Sequence, residues 1–229
     1  MYRVPVMANP GLREKDHERF HRTWDGLVAM QKAYRERGAF FEFAPDPRTG
    51  HECGDSRYLA IPFFDFWLKH RLAHGQDPSQ TLRPAAQARA LWEKSMTDKV
   101  SEYIGTGAVS DDTPPPSPLT VTAIRNSEKG VTVTWMADAD LESGIRCFVI
   151  ERDGERIGQV PEAPQGRFGR PLFQGMSYHD TPAEPLPEMR FVDVNGSTPA
   201  GTRYAVKSVN SVGLVSEPTT SQALRTTQH

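Results

Sequence analysis

The pattern of hydrophobic and polar positions in the first half of the chain predicts alternating strands and helices. Short apolar runs at Tyr2–Ala8 and Ala39–Ala44 are typical of buried strands. Between them, Asp16–Arg37 carries its apolar residues at helical spacing. Two further helices are predicted at Tyr58–Leu72, which is apolar nearly all round, and at Gln87–Ile104. This order is typical of a right-handed parallel β-α-β unit.

Two parallel strands are too few to be stable alone, because both faces of a parallel sheet need cover. We therefore expect residues 1–106 to be part of a larger doubly wound α/β domain. The missing part would be supplied upstream in a longer chain or by a partner chain. Within the second predicted helix, Pro62 indicates either a start near Ile61 or a kink.

The second half of the chain changes to a period of two. Residues 107–118 form a Pro-rich linker, and residues 119–229 alternate apolar and polar side chains between turn signals such as Asp153-Gly154. The predicted strands are Thr120–Ile124, Val131–Met136, Ile145–Arg152, Arg203–Val209 and a last strand near Gln222–Thr226. Short strands at this spacing predict an antiparallel β-sandwich, with a long insert at residues 160–193.

Charge and composition exclude several classes of partner. The formal charge is −2, from 27 basic and 29 acidic residues, so we expect neither nucleic acid nor an anionic membrane as a partner. No apolar run approaches the ~20 residues of a membrane-spanning helix. The first residues, MYRVPVMANPG, lack the features of a signal peptide. The compartment is left open, and no cofactor is expected.

The strongest chemical signal is His51, on the loop of AFFEFAPDPRTGHECGDSRYLAIPFFDFWL between the second strand and the next helix. Such loops lie at the carboxyl edge of a parallel sheet, where α/β proteins bind ligands. A histidine there is a candidate general base. The chain contains no G-x-S-x-G nucleophile motif.

A competing motif, H-E-x-x-H, is formed by His17, Glu18 and His21. On one helical face, two such histidines can bind zinc while the glutamate activates water. The neighbouring charged residues, such as Lys15 and Arg22, are typical of a solvated helix turn. We therefore interpret both histidines as surface residues and expect no metal.

The second half of the chain resembles a fibronectin type III domain. The resemblance lies in TPPPSPLTVTAI, VTVTW, IRCFVIERDGERIG and TRYAVKSVNSVGLVSEP. It implies Trp135 as the core indole and Tyr204 as the corner tyrosine of the sandwich. The insert at 160–193 is longer than such a domain needs.

The first half resembles the last two β/α units of an α/β-hydrolase, in VPVMANPGLREKD and FAPDPRTGH. In that serine hydrolase superfamily the triad order is serine, acid, histidine. The resemblance implies His51 as the base and Asp16 as the acid, with Glu14 as the alternative acid. Asp16 is also placed to cap the following helix. A hydrolase part followed by a sandwich resembles bacterial multidomain hydrolases, whose parent proteins would be secreted or periplasmic.

Two functions are consistent with these features. In the first, the chain is the C-terminal part of a serine hydrolase that acts on an ester or amide, and it is inactive alone because the nucleophile is missing. In the second, it is a non-catalytic binding or spacer protein whose sandwich contacts a protein or a glycan.

Overall fold

The computed structural model describes most of the chain in two compact units, which divide between Ser110 and Asp111. The described residues are 4–51, 56–71, 85–126, 130–163, 189–195 and 198–224. Most of the predicted insert, from 164 to 188, lies outside them.

The first unit contains a parallel β-α-β unit followed by two helices. Its elements are β1 (Val6–Ala8), a short 3₁₀ helix (Leu12–Glu14), α1 (His21–Glu36), β2 (Phe41–Phe43), α2 (Arg57–Arg71) and α3 (Ala85–Thr106). Strands β1 and β2 pair in parallel, with Val6 opposite Phe41 and Ala8 opposite Phe43. Helix α2 continues through Pro62 and does not begin near it.

Alternate residues of the second strand region face different helices, as the period of a strand requires. Phe41 packs edge-on against Tyr34 of α1. Its neighbour Phe40 packs with Trp67 of α2 and Trp92 of α3 in a separate core cluster. Both faces of the two-stranded sheet are therefore covered by helices.

One face of α2 is exposed, although the sequence of this helix is apolar nearly all round. Phe64 and Leu68, one turn apart, are 59% and 52% exposed. Large apolar side chains at this spacing form a stripe that is normally covered by another element.

The second unit is an antiparallel β-sandwich. Its strands are β3 (Thr120–Asn126), β4 (Gly130–Met136), β5 (Ile145–Arg152), β6 (Glu155–Val160), β7 (Arg190–Asp193), β8 (Tyr204–Asn210) and β9 (Thr219–Thr220). One sheet has the order β3-β4-β7 and the other β6-β5-β8-β9. This arrangement is of the immunoglobulin-like type that includes fibronectin type III domains.

The sandwich core contains the two aromatic residues that the sequence indicated. Trp135 packs against Phe148 at 5.3 Å between ring centroids. The Tyr204 hydroxyl donates a 2.7 Å hydrogen bond to Asp193 Oδ2, which also accepts one from Arg152 Nη1. Burial, and then the hydrogen bond to Asp193, raise the pKa of Tyr204 to about 12.

Strand boundaries at the ends of the sandwich differ from the prediction. The last strand of the described residues is Thr219–Thr220. Of the expected strand Gln222–Thr226, residues 222–224 are not in a strand, and 225–226 lie outside the described residues. Strands β6 and β7 were not predicted. Part of the Pro-rich segment belongs to the second unit, since Pro115 and Pro118 are buried there. No helix in the described ranges is long and apolar enough to span a membrane.

Candidate active site

Two loops meet at the carboxyl edge of the parallel sheet. The first follows β1 and the second follows β2, and they are joined by a parallel bridge between Gly11 and Asp46. The Leu12 N–H donates to the carbonyl of Asp46 at 2.8 Å, and the Arg13 N–H donates to that of Thr49 at 3.1 Å. These bonds extend the pairing of the sheet beyond its strands and hold the loops side by side.

Glu14 lies at the end of the 3₁₀ helix in the first loop and is 5% exposed. Its N–H donates to the carbonyl of Gly11 at 3.0 Å, which closes the turn. A buried carboxylate costs several kcal/mol of desolvation unless it is paired. Its Oε2 has no hydrogen-bond partner among the described residues, so its interaction with the second loop is its main compensation there.

That interaction is with His51, in the second loop. The His51 Nδ1 atom lies 3.1 Å from Glu14 Oε1. A carboxylate oxygen accepts hydrogen bonds, so a neutral imidazole in this geometry donates from Nδ1 in the tautomer that leaves Nε2 as an acceptor. The His51 side chain is 34% exposed, and we find no hydrogen bond to Nε2 within the described ranges. In that tautomer the lone pair of Nε2 can accept a proton.

Phe20 holds one face of the imidazole. The rings of Phe20 and His51 are stacked, with centroids 3.9 Å apart and an interplanar angle of 9°. The Arg19 guanidinium carbon lies 5.2 Å from the centroid of the Phe20 ring. The stacking limits tilting of the imidazole ring, and the contact with Glu14 limits its rotation within the ring plane.

The other predicted acid, Asp16, is not brought to His51. Asp16 is exposed, and no hydrogen bond to its carboxylate is found in the described part of the chain. It does not cap α1 either, because that helix begins at His21, five residues later. Glu14 takes the place that we expected for Asp16.

The H-E-x-x-H motif lacks the helical geometry that a zinc site needs. His17 and Glu18 precede α1, so the motif does not lie on one helical face. The His17 Nδ1 atom accepts a hydrogen bond from the Arg19 N–H, and His21 Nδ1 lies 2.9 Å from the carbonyl oxygen of Glu18. Among the described residues, no group of three or more His, Cys, Asp or Glu is arranged to hold a metal ion.

Sequence reasoning missed Phe20 as a neighbour of His51, because its spacing fits the apolar face of the predicted helix. It also missed Asp46, which is 1% exposed. A signal for Asp46 was present: an Asp two residues before Arg48 in D-P-R-T-G-H is typical of a side chain that closes a turn onto its own backbone.

Comparisons with known proteins do not assign a family. No protein-family model and no curated protein matches the chain. Among solved structures, the spore cortex lytic enzyme SleM of Clostridium perfringens is 14% identical, with 50% of this chain and 29% of that chain covered and a TM-score of 0.34. Domains A168–A170 of titin are 21% identical, with 52% and 34% covered and a TM-score of 0.34. Chitinase ChiA74 of Bacillus thuringiensis is 14% identical, with 88% and 23% covered and a TM-score of 0.32.

In each case this chain spans about a third or less of the length of the structure that it matches. Similarity at this level carries no argument about the function of the chain.

Proposed function

We propose that this chain carries the base and the acid of a serine hydrolase of the α/β-hydrolase class. The nucleophile would come from a hydrolase segment upstream in a longer chain or from a partner chain. The observation that supports this best is the 3.1 Å contact between Glu14 Oε1 and His51 Nδ1, on loops that follow consecutive parallel strands. An acid that precedes the histidine in this way matches the triad order of the class.

In this proposal His51 Nε2 accepts the proton of the attacking serine hydroxyl and returns it to the leaving group. Glu14 keeps the imidazole in the required tautomer and stabilises the imidazolium as it forms. The reaction would be hydrolysis of an ester or an amide through an acyl-enzyme. Phe20, stacked on the imidazole, would keep the ring in one plane during both proton transfers.

The uncovered face of α2 supports the proposal that the domain includes a further hydrolase segment. Phe64 and Leu68 expose more than half of their surface in this chain. In a doubly wound domain, such an apolar stripe would be covered by a neighbouring element. The two-stranded sheet is likewise smaller than the sheets of four to six strands that are usual in such domains.

The coding sequence upstream of this chain provides the test. We expect an in-frame G-x-S-x-G after a strand pattern, and we expect the longer protein to hydrolyse p-nitrophenyl esters. In it, His51→Ala and Glu14→Gln should each lower kcat by about 10⁴-fold or more. Asp16→Asn, which changes a carboxylate two residues away, should leave kcat within twofold. An upstream sequence without a nucleophile motif, or an Asp16→Asn variant as impaired as Glu14→Gln, would overturn the proposal.

The chain alone should not turn over p-nitrophenyl acetate faster than its His51→Ala variant. An oriented histidine without a nucleophile and an oxyanion hole gives little catalysis. Turnover by the purified chain that His51→Ala abolishes would contradict this prediction.

A further inference from the structure

Asp46 connects the loop that carries His51 to the loop of Glu14 and to α3. Its Oδ1 atom accepts a 2.8 Å hydrogen bond from the Arg48 N–H, which closes a turn three residues before His51. Its backbone N–H donates to the carbonyl of Pro10 at 2.8 Å, and its own carbonyl accepts from Leu12. One nearly inaccessible aspartate thus shapes the second loop and binds it to the loop of Glu14.

Tyr103, near the end of α3, binds both loops through one hydroxyl. The Tyr103 hydroxyl oxygen lies 3.1 Å from Asp46 Oδ2 and 3.1 Å from Asn9 Oδ1. Tyr103 is fully buried in the aromatic core. Burial, and then the neighbouring charge of Asp46, raise the pKa of Tyr103, so this hydroxyl keeps its proton.

The end of α3 is fixed to the same loop by a second contact. Arg48 Nη2 donates to the carbonyl of Gly107, the residue after α3 ends. Gly107 has a φ of +75° and its N–H donates to the Tyr103 carbonyl at 2.7 Å, which is a common helix ending. A positive charge at a helix C-terminus is favourable.

We propose that Asp46 and Tyr103 are positioning residues for the Glu14–His51 pair, acting through the two loops and not through contact with substrate. This inference rests on the proposed function. A buried carboxylate shared by a turn and a tyrosine restricts the backbone of the His51 loop far more than an apolar contact does. The 3.1 Å contact between Glu14 and His51 would then depend on the Tyr103 hydroxyl, which is 57 residues away in the chain from Asp46.

The test is the NMR signal of the His51 Nδ1 proton in this chain. A hydrogen bond to a carboxylate shifts that proton downfield and slows its exchange with water, and its absence in His51→Gln assigns it. We expect Tyr103→Phe to speed its exchange by about tenfold or more, since it removes the single hydroxyl proton that Asp46 Oδ2 and Asn9 Oδ1 share. Asp46→Asn should have at least as large an effect. Tyr58→Phe is the matched control, because Tyr58 lies in the same core and the described structure shows no hydrogen bond from its hydroxyl to Asp46 or Asn9.

The outcomes separate this inference from the proposed function. Faster exchange in Tyr103→Phe and Asp46→Asn, with Tyr58→Phe unchanged, supports the positioning role. Unchanged exchange in a folded Tyr103→Phe variant overturns that role and leaves the proposed function standing. An equal effect of Tyr58→Phe overturns it as well, since the cause would be general loosening of the core. Absence of the signal from the unmodified chain overturns both the positioning role and the proposed function.

Discussion

Replacement of Gly11 by alanine should separate the two loops that hold Glu14 and His51. A Cβ atom on Gly11 would lie 2.0 Å from the carbonyl oxygen of Gly50 and 2.5 Å from that of Thr49. The Gly50 oxygen must therefore move by about 1 Å to reach even the 3.0 Å limit of real Cβ contacts. Both obstacles are backbone atoms, so no side chain can rotate away to relieve them.

The loss of stability follows from the hydrogen bonds that this movement of the Gly50 oxygen stretches. The hydrogen bonds from Leu12 to Asp46 and from Arg13 to Thr49 cross the same gap, at 2.8 and 3.1 Å. Their loss at about 1 kcal/mol each, added to about 1–3 kcal/mol for the strain of overpacking, lowers the free energy of unfolding by about 3–5 kcal/mol. For a unit of this size, that lowers Tm by roughly 10 °C or more.

The assay is thermal and urea unfolding followed by tryptophan fluorescence, which reports mainly on the first unit through Trp24, Trp67 and Trp92. Gly26→Ala is the matched control. Gly26 lies within α1, where an added Cβ meets nothing within 4 Å, so this change should stabilise the unit by about 0.5–1 kcal/mol. A Gly11→Ala variant that is as stable as the unmodified chain would refute the close packing of the two loops.

Three further predictions concern other parts of the molecule. Tyr204→Phe should destabilise the sandwich by about 1–3 kcal/mol, measured by urea unfolding, because Asp193 loses a buried donor. The fold raises the pKa of Tyr204 from about 10 to about 12, so the stabilisation that Tyr204 gives the sandwich is complete below pH 10 and is lost as the pH rises through 12. A decline in the stability of the sandwich between pH 10 and 12 that persists in Tyr204→Phe would contradict this assignment. Phe20→Ala should speed exchange of the His51 Nδ1 proton, since it removes the stacked ring, whereas Trp24→Ala, one turn further on, should not. Phe64→Ser with Leu68→Ser should change the unfolding free energy of the chain by less than about 1 kcal/mol, because both side chains are already exposed; a larger loss would mean that this face is packed.

Local patterns predicted the elements of this fold well. The parallel order of β1, α1 and β2 follows from two short apolar runs separated by a helical period, and the pairing is present. The hairpin of β5 and β6 could have been predicted from Asp153-Gly154, whose φ values of 48° and 86° are those of a tight two-residue turn. The sheet order of the sandwich agrees with the resemblance to fibronectin type III domains.

The sequence favoured Asp16 over Glu14 as the carboxylate beside His51, and the structure places Glu14 there. Periodicity favoured a helix from Asp16, yet the chain makes a 3₁₀ turn at Leu12–Glu14 and begins α1 only at His21. The turn is fixed by backbone bonds to Asp46 and Thr49, more than thirty residues away. Contacts over such separations leave no mark in a local pattern. Tyr103 was missed for the same reason. The sequence of its helix is largely polar, which is typical of a helix at the surface.

The central claim is that Glu14 orients His51, and one comparison tests it directly. The signal of the His51 Nδ1 proton should be present in the unmodified chain and in Asp16→Asn, and it should be lost in Glu14→Gln, where the carboxylate acceptor is replaced by an amide. A signal that survives in Glu14→Gln, or that disappears in Asp16→Asn, would contradict the account.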